Sequence, residues 1–171
     1  MTLHHDLLDQ AEHLATKEPR KPRQSSLRRA VSATYYALFH LLVDEAVVRF
    51  VKGPDASTLR NLLRRAFDHG EMKGMSKAFS GGTLPPSLAA ALKGPIPVDL
   101  REAAETFVEL QEARHEADYD LSRRFVRAEV KDLIAETRNV FQRWSTVRTS
   151  DAARLYLAAL LTGERLRKRA S

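Results

Sequence analysis

The sequence predicts an all-α fold, an antiparallel helical bundle with two long central helices and three to four shorter ones. Residues 25 to 51 contain no Gly or Pro, and their apolar side chains recur at three- and four-residue steps. A second run, ending at Val147, repeats apolar residues at nearly heptad spacing. No segment has the pattern of a strand, and no long internal repeat is present. The chain of 171 residues is expected to form a single domain, residues 1 to 171.

The composition narrows the function. The chain has no Cys, which excludes disulfides, thiolate catalysis and zinc sites built on sulfur. Its formal net charge is +6, and cations cluster between Lys17 and Arg29 and again in a basic C-terminal tail at about residues 165 to 171. Clustered cations attract polyanions through counterion release, so nucleic acid is a candidate partner. The alternative is that these cations only solvate helix faces.

Several classes of protein and site are not indicated. No apolar run approaches the roughly 18 residues of a membrane span, and the first residues lack a signal pattern. A cytoplasmic protein without membrane contact is therefore expected. Glycine-rich phosphate loops, paired zinc motifs and a serine nucleophile elbow are absent from the sequence, so no cofactor is predicted.

The first predicted element is a short amphipathic helix over residues 5 to 17. On it, His5, Asp9 and His13 follow one another at four-residue steps and could offer two imidazoles and a carboxylate to a metal. Three ligands spread over two turns of one helix seldom converge on one ion. Surface side chains are the favoured interpretation, and no metal site is predicted.

The long helix over residues 25 to 51 is expected to be central, because its apolar residues cover most of its circumference. A polar strip interrupts them, formed by Arg28, Arg29, Ser32, Tyr36, His40 and Asp44. As a site, this strip could hold a phosphate between arginine and tyrosine. In the alternative interpretation, Tyr36 and His40 are hydrogen-bonded core residues at a helix interface. The sequence pattern favours this structural role over the phosphate site.

The middle of the chain is predicted to be less regular. A third helix, with Leu59, Leu62 and Phe67 on its apolar side, should stop near Gly70. Residues 70 to 98 hold five of the seven glycines and four of the seven prolines, which indicates a long connection. At most a short helical turn is expected there, around residues 87 to 92.

Helical periodicity returns after the connection. One helix should begin at residue 97 or 99 and end at a junction over residues 114 to 120. The second long helix should then start at Asp120 or Ser122, run to Val147, and pair antiparallel with residues 25 to 51. A final helix is predicted from residue 151 to about 167.

The junction carries several groups capable of chemistry. Arg114 can hold a phosphate, and His115 can act as a general acid or base near neutral pH. Glu116, Asp118 and Tyr119 add titratable or polar groups. The alternative is that Asp118 or Asp120 caps a helix and that Arg114 forms an ion pair with that aspartate.

Two segments together resemble a known family. SLRRAVSATYYALFHLL resembles the R-A-Y-Y-A-x-F-H helix of the HEPN superfamily, the higher eukaryotes and prokaryotes nucleotide-binding domain. RHEADYDL resembles the R-x-x-A-D-Y segment of its small bacterial branch. The resemblance covers roughly residues 3 to 144. It implies an all-α homodimer, and many such proteins are metal-independent ribonucleases of toxin–antitoxin or defence systems.

The family's active site has an arginine followed, after four to six residues, by a histidine. Arg114 matches the arginine, but four intervening residues lead to Tyr119 instead of histidine. Tyr119 or His115 would then have to move protons. Arg64 and His69 have the family spacing, yet they lie before the connection, and this match is interpreted as coincidence.

The expected function is binding of RNA or nucleotide phosphates, with possible metal-independent cleavage left open. Arg114, His115 and Tyr119 are the candidate catalytic residues. The candidate phosphate-binding residues are Arg28, Arg29, Tyr36, His40 and Asp118. Two alternatives are a non-catalytic dimeric antitoxin or accessory partner of a nucleotidyltransferase, and a small-ligand regulator with a pocket between the two long helices.

Overall fold

Helices form all of the regular secondary structure between Thr2 and Lys168, which confirms the predicted all-α class. The structure is a computed structural model that describes the backbone over this range and the side chains from Thr2 to Gly163. The predicted basic tail at about 165 to 171 lies outside the described side chains. The helices of the described residues are α1 (Leu3–Thr16), α2 (Gln24–Phe50), α3 (Ser57–Arg64), α4 (His69–Ser80), α5 (Pro86–Ala91), α6 (Val98–Tyr119), α7 (Arg127–Val147) and α8 (Asp151–Lys168).

The chain groups into two compact units, and the first combines Met1–Leu41 with Thr106–Gln142. Most of the core residues contributed by α1 and α2 are alanines, whose small side chains permit close packing of helices. Larger apolar side chains from α7 and from the residues just before it complete the core. The buried cluster consists of Leu8, Ala11, Ala15, Leu27, Ala30, Val31, Ala33, Ala37, Ala117, Phe125, Val130 and Ile134.

Within the first unit, α2 runs antiparallel to α6. Near the start of α2, Arg28 donates a hydrogen bond to the carbonyl oxygen of Ala117, close to the end of α6. Two turns further along α2, the ring of Tyr35 lies 5.6 Å from that of Phe107, further back on α6. The helix α6 is therefore an antiparallel neighbour of α2. The helix α7 was predicted to be antiparallel to α2, but Gln24 at the start of α2 is hydrogen-bonded to Phe125, just before the start of α7, so these two helices begin side by side.

The antiparallel neighbour of α7 in this unit is α1. The ring of His4 on α1 lies 5.5 Å from the ring of Phe141 on α7. At the opposite ends of the two helices, Arg127 donates to the carbonyl oxygen of Pro19 at 3.1 Å. Residues of α2 and α7 share one buried cluster, so the error in the prediction was the relative direction of the two helices. Periodicity identifies an apolar face without identifying the direction of the helix that covers it.

The second unit combines Leu42–Glu105 with Arg143–Ser171. Its core includes the packing of α4 against α8, where the hydroxyl groups of Ser76 and Tyr156 lie 2.8 Å apart and both residues are fully buried. Burial raises the pKa of the Tyr156 phenol well above its usual value. This hydroxyl pair is a structural contact, because each buried polar group needs a partner.

The segment predicted as a long connection contains a helix of 12 residues, α4, which corrects the sequence prediction. Asp68 caps it, accepting hydrogen bonds from the backbone amides of Gly70 and Glu71 at 2.8 and 3.0 Å. Met72 and Phe79 are fully buried on its inner face. Two internal glycines concealed this helix in the sequence. The short helix α5 agrees with the predicted turn.

The third helix also differs from its prediction. It ends at Arg64, three residues before Phe67, and none of its residues is buried. Leu59 and Leu62 were expected to face a core, yet they are 57% and 58% exposed. Phe67 is buried, but it lies beyond the end of the helix.

Among the described helices, α2 meets the length and composition of a membrane span. The mean hydropathy of its most apolar window is 1.2, and 72% of that window is buried inside the structure. A helix at the centre of a folded core has the same length, composition and burial.

A candidate phosphate-binding groove

An open groove of about 540 Å³ lies in the first unit, between the start of α2 and the end of α6. We call it the arginine groove. Its lining residues are Ser25, Arg28, Arg29, Ser32, Tyr36, Arg114, Ala117, Asp118 and Tyr119. Three guanidinium groups and one carboxylate are among them, so the groove has an excess of positive charge. It unites the first four residues of the predicted polar strip with the predicted junction residues.

The junction itself is displaced relative to its prediction. The helix α6 continues through Tyr119, and α7 begins only at Arg127, so a start at Asp120 or Ser122 is wrong. Arg114 and Asp118 consequently lie one turn apart on the same face of a continuous helix. His115 is rotated away from that face.

Arg114 lies in the groove between a carboxylate and several tyrosine rings. Its Nε lies 2.7 Å from Oδ2 of Asp118, and its Nη2 donates to the Tyr36 hydroxyl at 3.4 Å. Its guanidinium also lies 5.7 to 5.9 Å from the ring centres of Tyr35, Tyr36 and Tyr119. The side chain retains 20% exposure. The pairing of Arg114 with Asp118 that the sequence left as an alternative is therefore present, at the wall of an open groove.

The protonation state of Arg114 follows from these neighbours. Partial burial lowers the pKa of Arg114, but the oxygen of Tyr36 and the carboxylate of Asp118 outweigh it and raise the pKa above its usual value. Arginine is already charged at any physiological pH. The groove therefore keeps this positive charge throughout the range in which nucleic acids are anionic.

Asp118 is held from two sides. Its Oδ2 pairs with Arg114, and its Oδ1 accepts a hydrogen bond of 2.7 Å from the hydroxyl of Ser32 on α2. This bridge links α2 to α6 and fixes the orientation of the Arg114 guanidinium. The sequence had assigned Asp118 to phosphate binding, whereas its contacts are those of a residue that orients a cation.

Arg28 was predicted to bind phosphate, but its hydrogen bonds are made to the backbone. Its guanidinium donates to carbonyl oxygens at the end of α6 and in the following connection. The acceptors are Glu116, Ala117, Asp120 and Arg123, at 3.4, 2.8, 2.9 and 2.5 Å. The last carbonyl groups of a helix have no hydrogen-bond donor within the helix, and here the Arg28 guanidinium is that donor. Its charge still contributes to the groove.

Arg29 is the exposed cation of the groove. Within the described part of the chain, its side chain makes no hydrogen bond or ion pair. It also lines a neighbouring hollow of about 350 Å³ that includes Leu7 and Leu14 of α1. Arg29 is thus the guanidinium of the groove with the fewest protein partners and the one most accessible to an anion.

The two remaining candidate catalytic residues are placed differently. Tyr119 lines the groove and is 65% exposed. The exposed His115 is not among the lining residues, although its ring centre lies 5.1 Å from that of Tyr119. A proton-transfer role for His115 would require a substrate that extends past the rim of the groove.

The structure separates His40 from the groove. Its ring contacts those of Tyr36 and Phe39, with centres 6.3 and 5.4 Å away. The structural interpretation of His40 is therefore the better one, whereas Tyr36 lies at the groove wall. In the second unit, Arg64 forms an ion pair of 2.9 Å with Asp44, the last residue of the predicted strip.

The histidines of α1 take part in local contacts. His5 is hydrogen-bonded to the hydroxyl of Thr2 at 2.7 Å and packs against Phe141. Asp9 lies 3.8 Å from Arg138. Among the described residues, no three His, Asp or Glu side chains are grouped closely enough to hold a metal ion.

The connection between α6 and α7 is well anchored beside the groove. The side-chain amide of Gln24 exchanges two hydrogen bonds with the backbone of Phe125, at 2.8 and 3.0 Å. Asp120 accepts hydrogen bonds from the hydroxyl and backbone amide of Ser122, which lower the pKa of Asp120. Arg123 pairs with Glu116 at 2.9 Å. Sequence inspection could not find the contact of Gln24 with Phe125, because these residues lie 101 positions apart in the chain.

Fold and groove together define an all-α protein with a cationic cleft walled by tyrosine and arginine. The chain matches no family model, no curated protein and no solved structure.

Proposed function

We propose that this protein binds RNA or nucleotide phosphates in the arginine groove, as the resemblance to the HEPN superfamily implies. The observation that carries the proposal is the meeting of Arg29, Arg114 and Tyr36 in one open groove. Arg114 is oriented by Asp118, and Arg29 is free of protein partners among the described residues. Guanidinium groups bind phosphate oxygens with two parallel hydrogen bonds, and Tyr36 adds a hydroxyl donor.

Binding of a single-stranded oligoribonucleotide as a function of salt tests this proposal. Each phosphate contact contributes about −0.7 to the slope of log K against log salt for a single strand. Arg29→Ala should weaken binding and make the slope less steep by about this amount. Arg101→Ala is the matched control, because it removes an exposed cation of α6 in the second unit. Equal effects of the two changes, or no salt-dependent binding by the parent, would contradict the proposal.

Cleavage is a separate step that the same groove can support. The ribose 2′-oxygen would attack the adjacent phosphorus, forming a 2′,3′-cyclic phosphate as the bond to the 5′-oxygen breaks. Arg114 would stabilise the charge that develops on the phosphate, and Tyr119 or His115 would transfer the proton from the 2′-oxygen to the leaving oxygen.

Arg114→Ala should abolish any such cleavage while the fold persists. The reason is that a cation beside the phosphate acts on the charge of the transition state. The measurement is the rate of release of cyclic-phosphate products, with circular dichroism as the check on folding. Cleavage at the parental rate would remove Arg114 from the mechanism.

A second candidate function is a non-catalytic one, as partner of a nucleotidyltransferase. It is favoured by the pairing of Arg114 with Asp118 and by the position of His115 outside the groove. A folded protein that binds no RNA at low salt but co-purifies with a nucleotidyltransferase would support this function. For either function we propose a cytoplasmic homodimer, which sedimentation would reveal as twice the 19.3 kDa of one chain.

A further inference from the structure

Tyr119 is an exposed aromatic ring held in place at the rim of a cationic groove. It is the last residue of α6 and is 65% exposed. The Arg114 guanidinium lies 5.8 Å from its ring centre, and the His115 ring lies 5.1 Å away. These two neighbours restrict the positions that the ring can take at the edge of the groove.

The arginines of the groove can bind the phosphate of a nucleotide, but its base requires a different kind of contact. Arg29 is exposed and Arg114 is oriented, so both can meet phosphate oxygens. A nucleobase has a large flat surface, and proteins usually cover it with an aromatic ring. Within the lining of the groove, Tyr119 is the most exposed such ring, while Tyr36 is half-buried.

These observations bear on the form of the nucleic acid. Bases in a duplex are stacked on one another and cannot lie on a protein ring without unpairing. The volume of the groove, about 540 Å³, is of the size that holds one small ligand such as a nucleotide.

We infer that Tyr119 is a stacking platform for an unpaired nucleobase, which makes single-stranded nucleic acid the ligand class of the arginine groove. The phosphate beside that base is bound by Arg29 and Arg114. This inference rests on the proposed function and assigns to Tyr119 a binding role that its position in the resembling motif does not imply.

The test compares an ordinary single-stranded oligoribonucleotide with an abasic chain of the same length and charge. Tyr119→Leu should weaken binding of the ordinary chain roughly tenfold to a hundredfold and leave the abasic chain unchanged. Tyr119→Phe and Tyr119→Trp should retain the parental affinity, since both keep an aromatic face. Phe50→Leu is the matched control, because Phe50 is an exposed ring of the second unit.

A fluorescence measurement gives a second readout. In Tyr119→Trp, the fluorescence of the introduced indole should be quenched by the ordinary chain and not by the abasic chain. The native Trp144 is only 2% exposed, so its fluorescence contributes a constant background. Absence of base-dependent quenching would contradict stacking.

The outcomes separate this inference from the function on which it rests. If Arg29→Ala weakens both chains and Tyr119→Leu weakens neither, phosphate binding stands and stacking is wrong. If Tyr119→Leu weakens both chains equally, the tyrosine acts on the phosphate or ribose instead. If the parent protein binds neither chain, the proposed function and the stacking role both fail.

Discussion

Asp118 partly neutralises the arginine groove, and this residue has two separable effects. Its carboxylate pairs with Arg114 at 2.7 Å and also accepts the hydrogen bond from Ser32. It therefore orients the guanidinium, but it also competes with an incoming phosphate for that guanidinium. Which effect dominates can be measured at this one residue.

We expect Asp118→Asn to strengthen RNA binding several-fold. The amide oxygen can still accept from Ser32, while the loss of the negative charge frees Arg114 for phosphate. The cost in stability should be small, on the order of 1 kcal/mol or less, because a partly exposed ion pair contributes little. Titration with the same oligoribonucleotide and a thermal melt provide the two measurements. Weaker binding by this variant would show that orientation of Arg114 outweighs competition.

The sequence predicted which residues line the site better than it predicted the contacts that those residues make. The polar strip and the junction did contain Arg29, Tyr36, Arg114 and Tyr119, because polar side chains on apolar helices stand out in a sequence. Arg28 was assigned to phosphate because nothing in a sequence distinguishes a guanidinium bound to backbone carbonyls from one that faces solvent. Partners 88 to 95 positions away produce that difference.

At the scale of helices, the packing of α4 against α8 depends on a glycine. A Cβ atom at Gly163 would lie 2.5 Å from Cγ of Met75, which is 1% exposed and has little room to move. Gly163→Ala adds about 1 kcal/mol of helix propensity, but overpacking a core costs about 1 to 3 kcal/mol.

We therefore expect Gly163→Ala to lower the Tm by a few degrees. Gly81→Ala is the control, because a Cβ atom there would meet no atom within 4 Å. Calorimetry of both variants and the parent is the measurement. A higher Tm for Gly163→Ala would indicate that α8 can shift to accept the methyl group.

The helices themselves were predictable to different degrees. Helical periodicity gave α2, a long run without Gly or Pro, and α8 nearly at their observed bounds, since periodicity over several turns leaves few alternatives. The helix α4 was missed because Gly70 and Gly74 suggested a connection, yet the Asp68 cap and buried methionines stabilise it. For α3, the leucine spacing was helical, but spacing cannot show whether anything covers the leucines.

For the whole molecule, the all-α class followed from the sequence, whereas the pairing of helices did not. The antiparallel partner of α2 in the first unit is α6, identified by contacts such as that of Tyr35 with Phe107. The sequence placed the polar strip and the junction residues on separate helices, and it did not show that the two groups lie close together. The antiparallel arrangement of α2 and α6 brings these groups into one groove.

The contacts of Arg28 have a consequence for biosynthesis. Its backbone acceptors extend to Arg123, 95 positions later. At a translation rate of about 5 to 20 residues per second, they are made roughly 5 to 20 seconds after Arg28 itself. Until Arg114 is synthesised, the nascent polypeptide lacks the α6 wall of the groove. Chains truncated before Arg114 should therefore lack the proposed RNA binding, which an electrophoretic shift assay of the truncated chain would test.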